Sequence, residues 1–304
     1  MSDQRLPTLT AEAATAGRRL AAPLARGRRR DVLVRYLRDP RITVSSTLII
    51  VLALAAILAP LISPFDPQYM DASQSLAGPG ARHWLGTDQL GRDVLTRLIY
   101  GARLSLQISV YSVAIAFVIG VTVGVVSAYF GSWIDMVLMR IVDILLAFPA
   151  LVLAIAIAAF LGPSLWSIVL VIGIVYWPTF ARLTYVLTRS VKSIEFVDAA
   201  RALGASNARI ILRAILPNSM APLIVQTSLS LGFAILTESG LSFLGVGVPP
   251  PAPSWGTQIA EARLTLNQDP LLVVWPAIVI AVAILSFNVL GDALRDRLDP
   301  RLRR

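Results

Sequence analysis

The stretch Ser193-Ile-Glu-Phe-Val-Asp198-Ala-Ala-Arg-Ala-Leu-Gly204-Ala-Ser206-Asn-Ala-Arg-Ile-Ile-Leu-Arg-Ala-Ile-Leu-Pro217-Asn218 is polar and lies between two long apolar runs. Its first half reads as a short helix. Ser193 is placed to cap free N–H groups, and Glu195 and Asp198 fall in the first turns, where the helix dipole favours negative charge. Gly204 ends that helix in the left-handed conformation. Ser206 caps a second helix that runs to Pro217. Ala199, Ala200 and Ala202 leave part of the first helix without bulk, so another surface can approach closely. The stretch is expected to be a water-exposed helix–turn–helix knob held between membrane spans. Taken alone it reads more readily as an ordinary loop with two helical turns; the spacing of Asp198-Ala199-Ala200, Gly204 and Leu216-Pro217 is what favours the knob.

Composition puts the chain in a membrane. Of 304 residues, 56% are apolar and 15% charged, against about 25% charged in ordinary soluble chains. The net charge is +9, carried by 26 Arg and the single Lys192. These cations flank apolar runs, which fits membrane orientation better than nucleic-acid binding. The chain has no Cys and one His, so it offers no thiolate site, and His83 has no evident co-ligands for a metal.

Working outward, residues 1–41 form an arm with ten Arg and four acidic residues. It reads as flexible, with helix near 28–38, and suits an anionic cytoplasmic membrane face. Residues 42–63 are the first span. Residues 64–103 leave the membrane. Within them Leu90, Val94, Leu95, Leu98, Ile99 and Ala102 fall at helical spacing among Arg92, Asp93, Arg97 and Arg103, an amphipathic helix expected at the interface. Residues 104–294 form the core that contains the knob, 193–217. The second span starts at Leu104 and carries Gly120 and Gly124, a GxxxG spacing. The third has its inner end marked by Asp135, Arg140 and Asp143 and continues to about Phe160; Arg140 and Asp143 are one turn apart and able to pair. The fourth covers about 165–187, the fifth 218–237 and the sixth 271–290. The fifth carries Gln226, Thr227, Ser228 and Ser230, polar groups that must face protein or water. Gln226, Thr227 and Ser230 are the candidates for lining a pathway; interhelical hydrogen bonds explain them equally well. Residues 238–270 form an external loop stiffened by prolines, with Trp255 read as a headgroup anchor or a partner contact, the aromatic belt residue being the commoner case. Residues 295–304 are a short basic tail.

Counting charges tests this layout. The side holding both termini and the knob collects 22 basic and 11 acidic residues, and the other side 5 and 7. The positive-inside rule then puts both termini and the knob in the cytoplasm.

Three segments resemble a known family. Asp198-Ala199-Ala200, Gly204 and Leu216-Pro217 look like the "EAA" coupling motif of permease subunits of ATP-binding-cassette importers, with Asp198 in place of the Glu and Ala214 where Ile is usual. Gly86-Thr87-Asp88, Gly91-Arg92-Asp93-Val94-Leu95 and Arg97 to Arg103 are similar to the signature of the C-type permease of dipeptide, oligopeptide and nickel importers. Glu238 to Gly256 resembles the same family's Leu-Ser-Phe-Leu-Gly and Pro-Ser-Trp-Gly segment. The resemblance implies an all-α membrane protein, six transmembrane helices with cytoplasmic coupling helices, in the type I importer permease fold. It implies half of a translocation pathway for di- or oligopeptides, or alternatively for nickel, in a bacterial or archaeal cytoplasmic membrane. The implied partners are a homologous permease (a heterodimer), two ATP-binding-cassette ATPase subunits and an extracytoplasmic substrate-binding protein. Residues 63–103 and 238–270 would meet the binding protein. ATP and Mg would be bound by the ATPases, with no cofactor or metal in this chain. Glu195, Asp198, Ala199, Ala200, Gly204, Leu216 and Pro217 would couple to the ATPase.

The residues agree with a separate motor. A P-loop needs Gly-Lys-Ser/Thr at its end, whereas the only Lys follows Val191. No nucleophile–base arrangement suggests a catalytic residue, which disfavours an intramembrane enzyme. The span centres carry no ionisable group, which disfavours an ion-coupled secondary transporter.

Overall fold

The computed structural model describes residues 39–298, which are almost wholly helical, with one isolated bridge between Thr87 and Asp93. The Arg-rich arm through residue 38, with its expected helix, and residues 299–304 of the tail lie outside the described residues. The chain divides into two units after Val44. In the first, Asp39 opens a helix by accepting a hydrogen bond from Arg41 N at 3.1 Å. The second begins at Ser45.

The helices are α1 (Pro40–Ile57), α2 (Ala59–Ile62), α3 (Val94–Phe130), α4 (Ser132–Leu146), α5 (Ala150–Leu161), α6 (Leu165–Lys192), α7 (Glu195–Ala202), α8 (Asn207–Ile210), α9 (Leu216–Phe243), α10 (Trp255–Ala262) and α11 (Leu271–Leu298). Among the described residues, five helical stretches are long and apolar enough to cross a membrane, and α4 with α5 makes a sixth if the bent pair counts as one span. That pair occupies the stretch read as the third span and is sharply bent, which the sequence reading did not foresee. The two helices meet at 96°, and Pro149 precedes the first residue of α5. The residue before a proline is pushed out of the helical region, and proline itself suits a helix start.

The helix that holds the second span, α3, begins ten residues before Leu104 and is 37 residues long. The stretch read as an interfacial helix leading into this span is continuous with it, and Asp93 caps its start: Asp93 Oδ2 accepts from Thr96 N at 2.8 Å. Its first turns are buried at Val94, Arg97, Leu98 and Ala102 rather than laid on an interface. The Gly120 and Gly124 spacing left a specific contact open, and the structure has one, against α6. A methyl group on Gly120 would stand 2.5 Å from Phe180 Cβ and from Trp177 O, and one on Gly124 2.5 Å from Ala181 O. Small residues let membrane helices approach to backbone contact. The core is built along this seam, with Ile108, Ile168, Ile172, Phe180 and Leu223 fully buried in one cluster. A second cluster joins Leu98, Ile235, Trp255 and Phe287.

Candidate functional site

The first helix of the knob begins differently from expectation and ends as expected. Ile194, not Ser193, is the residue before α7, and it lends no side-chain cap. Ser193 Oγ donates instead to Ser190 O at 2.9 Å and closes α6. Glu195 and Asp198 do lie in the first turn of α7. Gly204 has φ +77°. Around it Ala205 N donates to Ala200 O and Gly204 N to Arg201 O, both at 3.0 Å. This is the paired closure that satisfies the last carbonyls of a helix, and it needs a residue tolerant of positive φ. Ser206 Oγ accepts from Arg209 N at 3.4 Å and starts α8.

Pro217 was expected to stop the second helix, and it does not. Residues Ile211–Ile215 form a π turn that carries α8 directly into α9. In a continuous α-helix the Pro217 ring would meet the carbonyl of Arg213. A π turn just before it widens the ladder there and lets the helix continue.

One small apolar cluster holds the knob. Val197, Ile210 and Ile215 pack with Val191 of α6 and Tyr129 of α3. Tyr129 Oη donates to Asn207 Oδ1 at 2.8 Å, and Lys192 Nζ donates to Tyr129 O at 2.6 Å. Glu195, Asp198, Ala199 and Gly204 are exposed and Ala200 half-buried. Asp198 pairs with Arg201 at 3.1 Å on the surface, a contact of little energetic weight. Leu216 and Pro217 lie past the π turn at the start of α9. Ile194, Phe196, Leu203 and Leu212 are exposed as well. The unit therefore presents apolar side chains around two acidic groups and a surface of low relief, while its own core is pinned to α3 and α6.

The candidates on α9 separate. Gln226 Nε2 donates to Ser230 Oγ at 3.2 Å, and Ser230 is fully buried. Thr227 Oγ1 donates to Leu223 O within its own helix. Ser228 Oγ donates to Phe287 O of α11 at 2.7 Å. Thr227 and Ser228 line an apolar groove of about 540 Å³ between α3, α9 and α11, with Val110, Phe117 and Phe287; Gln226 and Ser230 are outside its lining.

At the opposite end from the knob, the loops after α2 and α9 close over the start of α3. Arg92 Nε donates to Asp88 Oδ2 at 2.6 Å, and Arg92 Nη2 and Arg97 Nη2 donate to Glu261 Oε2 at 2.6 and 2.8 Å. Both guanidinium groups are buried. The amphipathic pattern had placed these arginines on a polar outer face. His83 Nδ1 lies 2.8 Å from Asp93 Oδ1, with the Phe65 ring stacked on the imidazole. Trp255 is fully buried rather than at a headgroup surface; its Nε1 donates to Leu98 O at 3.1 Å. A tryptophan can be buried in this way because its one donor finds a carbonyl.

Two further groups escaped the sequence reading. Helix α9 runs on to Phe243, so Glu238, assigned to the external loop, belongs to the helix and is fully buried. It accepts from Ser242 Oγ at 2.8 Å and Ser105 Oγ at 3.0 Å, and Ser105 Oγ in turn accepts from Trp255 N at 3.3 Å. Asp143 pairs with Arg182 of α6, not with Arg140. The three-residue spacing on one helix suggested Arg140, and no local signal names a partner on another helix.

Residues 120–304 match the family described as binding-protein-dependent transport system inner membrane component, and residues 27–79 match the N-terminal TM domain of oligopeptide transport permease C. The dipeptide transport system permease protein DppC of Alkalihalophilus pseudofirmus is 47% identical, over 82% of each chain. The glutathione transport system permease protein GsiD of Pectobacterium atrosepticum is 38% identical, over 90% of this chain and 91% of that protein. Among solved structures, an inward-facing form of the MetNI methionine ABC transporter matches with a TM-score of 0.56 at 17% identity, over 67% of this chain and 96% of the other. That likeness bears on the fold, which is the type I importer permease fold. This chain belongs to the binding-protein-dependent permeases of ABC importers, in the branch that takes in the peptide and nickel systems.

Proposed function

We propose that this protein is one of two related permease subunits of a peptide importer in a bacterial or archaeal cytoplasmic membrane, with both termini and the knob in the cytoplasm. The observation that carries this reading is the knob itself. It is an exposed, two-acid, apolar-rimmed unit, packed on Tyr129 of α3 and Val191 of α6, hydrogen-bonded to Tyr129 and continuous through a π turn with a third long helix. Such a unit has a docking surface on one side and a lever on the other. A separate ATPase seated on Glu195 to Gly204 binds the two states of the bundle unequally, and that difference is what shifts access from outside to inside. ATP and Mg are held by that partner. An extracytoplasmic binding protein delivers substrate to the side closed by Arg92, Arg97 and Glu261. The peptide assignment rests on the dipeptide and glutathione permeases that this chain resembles.

The test is purification of the chain with its native-membrane partners, followed by ATPase and uptake assays with peptides and with nickel. Recovery of a second permease and of P-loop ATPases, with peptide-stimulated hydrolysis, is the expected result. A chain recovered alone and without ATPase activity overturns it; stimulation by nickel alone moves the substrate to the metal.

A further inference from the structure

Asp143 of α4 and Arg182 of α6 form an ion pair far inside their helices. Asp143 is 11 residues from Ser132 and Arg182 is 10 residues from Lys192, about 15 Å from those helix ends at 1.5 Å per residue. A bilayer's hydrocarbon core is about 30 Å thick; with the third span starting near Asp135 and the fourth ending near residue 187, the pair stands about 12 and 8 Å inside it, toward the cytoplasmic side. Yet the Arg182 and Asp143 side chains are 47% and 42% exposed. Charged groups in spans face a protein interior or water, since hydrocarbon solvates them poorly. These face outward from the subunit.

The surroundings favour water. Arg140, one turn before Asp143, is also exposed and forms no ion pair among the described residues. Toward the helix ends, Ser127 Oγ and Tyr185 Oη donate to the two oxygens of Asp135 at 2.8 and 2.9 Å, and Arg189 donates to Tyr185 Oη at 3.0 Å. Residues 182, 185 and 189 share a face of α6, and 135 and 143 share a face of α4. A polar stripe thus runs from the cytoplasmic ends of both helices up to the pair. It stops where the α4–α5 break begins, at Ala147.

We propose that Asp143, Arg182 and Arg140 line the aqueous passage near its cytoplasmic end and form a station for the carboxylate of a zwitterionic peptide. This rests on the peptide-importer reading above. The three side chains carry a net positive charge, and a guanidinium offers a planar fork of donors that suits a carboxylate. Asp143 competes with the substrate for Arg182. That competition keeps the stop brief, as conduction requires of any intermediate site.

The chain has no Cys, so a single introduced thiol reports its own surroundings. Val186, exposed one turn from Arg182, becomes V186C, and Arg140 becomes R140C. Each is tested in the assembled importer in inside-out vesicles with a membrane-impermeant methanethiosulfonate. The probe substrate is a pool of di- to pentapeptides with free C-termini, supplied with the binding protein. Both thiols are expected to react, and turnover with peptide is expected to slow the reaction severalfold. Arg140→Gln is expected to lower peptide uptake about tenfold at unchanged complex yield, with Arg140→Lys recovering part of it. Thiols that stay unreactive in membranes overturn the aqueous placement. Thiols that react without peptide protection, together with normal uptake by Arg140→Gln, overturn the station. An unsubstituted importer that takes up no peptide overturns the peptide reading instead, and the labelling rates still decide whether the pair faces water.

Discussion

Tyr129 Oη hydrogen-bonds to Asn207 Oδ1 at 2.8 Å, tying the last turn of α3 to the first residue of α8. The same tyrosine's carbonyl receives Lys192 Nζ at the end of α6. One residue therefore joins the knob to the two helices that form the main seam of the bundle. Tyr129→Phe removes the hydrogen bond and keeps the ring, at a cost of about 0.5–1.5 kcal/mol. The expected outcome is normal ATPase recruitment with less peptide moved per ATP hydrolysed. Asn207→Ala should do the same. Because the two residues share one contact, the double variant should lose less than the sum of the singles; strict additivity would show that the bond plays no part in coupling.

Gly204 sits at φ +77° with open space where a side chain would project. Gly204→Ala thus meets no obstacle except the backbone conformation, worth about 1–2 kcal/mol. Gly204→Pro is far worse, because proline holds φ near −65° and removes the N–H that bonds Arg201 O. Uptake should fall modestly for the alanine variant and be abolished for the proline variant at normal expression. Full uptake with Gly204→Pro would show that the knob's turn does not transmit force.

Ala199 is exposed on α7, whereas Ala200 is half-buried. A bulky residue at 199 should block a docking ATPase without disturbing the knob's own packing. For Ala199→Trp we expect loss of ATPase co-purification with unchanged membrane yield. Retention of the ATPase at wild-type stoichiometry would place the docking surface elsewhere.

Glu261 accepts from both buried arginines, Arg92 and Arg97. Removing one partner of a buried ionic cluster strands charge and costs about 3–5 kcal/mol; Asp88, still beside Arg92, keeps the cost at the lower end of that range. Glu261→Ala is expected to lower the thermal midpoint of the purified complex clearly, and Glu261→Gln less so, since it retains an acceptor. An unchanged midpoint in both would mean that solvent already screens the cluster.

The Gly120 contact gives a stability prediction that is independent of function. A methyl group there overlaps Trp177 O and Phe180 Cβ, both part of the α6 wall. Overpacking of this kind costs about 1–3 kcal/mol. Gly120→Ala should destabilise the isolated subunit in detergent, and Gly120→Leu should prevent its accumulation.

Much of the candidate site was legible in advance because its determinants are local. A helix stop at Gly204, a cap at Ser206 and acidic groups in the first turn of α7 depend on a few consecutive residues. The same holds for the spans, since length and hydropathy belong to each segment alone. The misreadings share another cause. Periodicity placed Arg92 and Arg97 on a polar face, yet only the return of the chain at Glu261 decides that this face is covered. Trp255 was legible as an aromatic near an interface, but not as the residue that fills the space beneath Leu98.

Sequence by itself determined the helical, membrane-spanning class of this protein, the knob between two spans and the three motifs that tie it to its family. Those are properties of hydropathy, spacing and backbone preference, which act within a few turns. Tertiary structure alone decided that α4 and α5 meet at 96°, that Asp143 turns to Arg182 rather than Arg140, and that Glu238 is enclosed by serines. A charged side chain takes the partner that desolvation and geometry leave within reach, and residues 39 or 133 positions away in the chain are brought within reach only by the packing of whole helices.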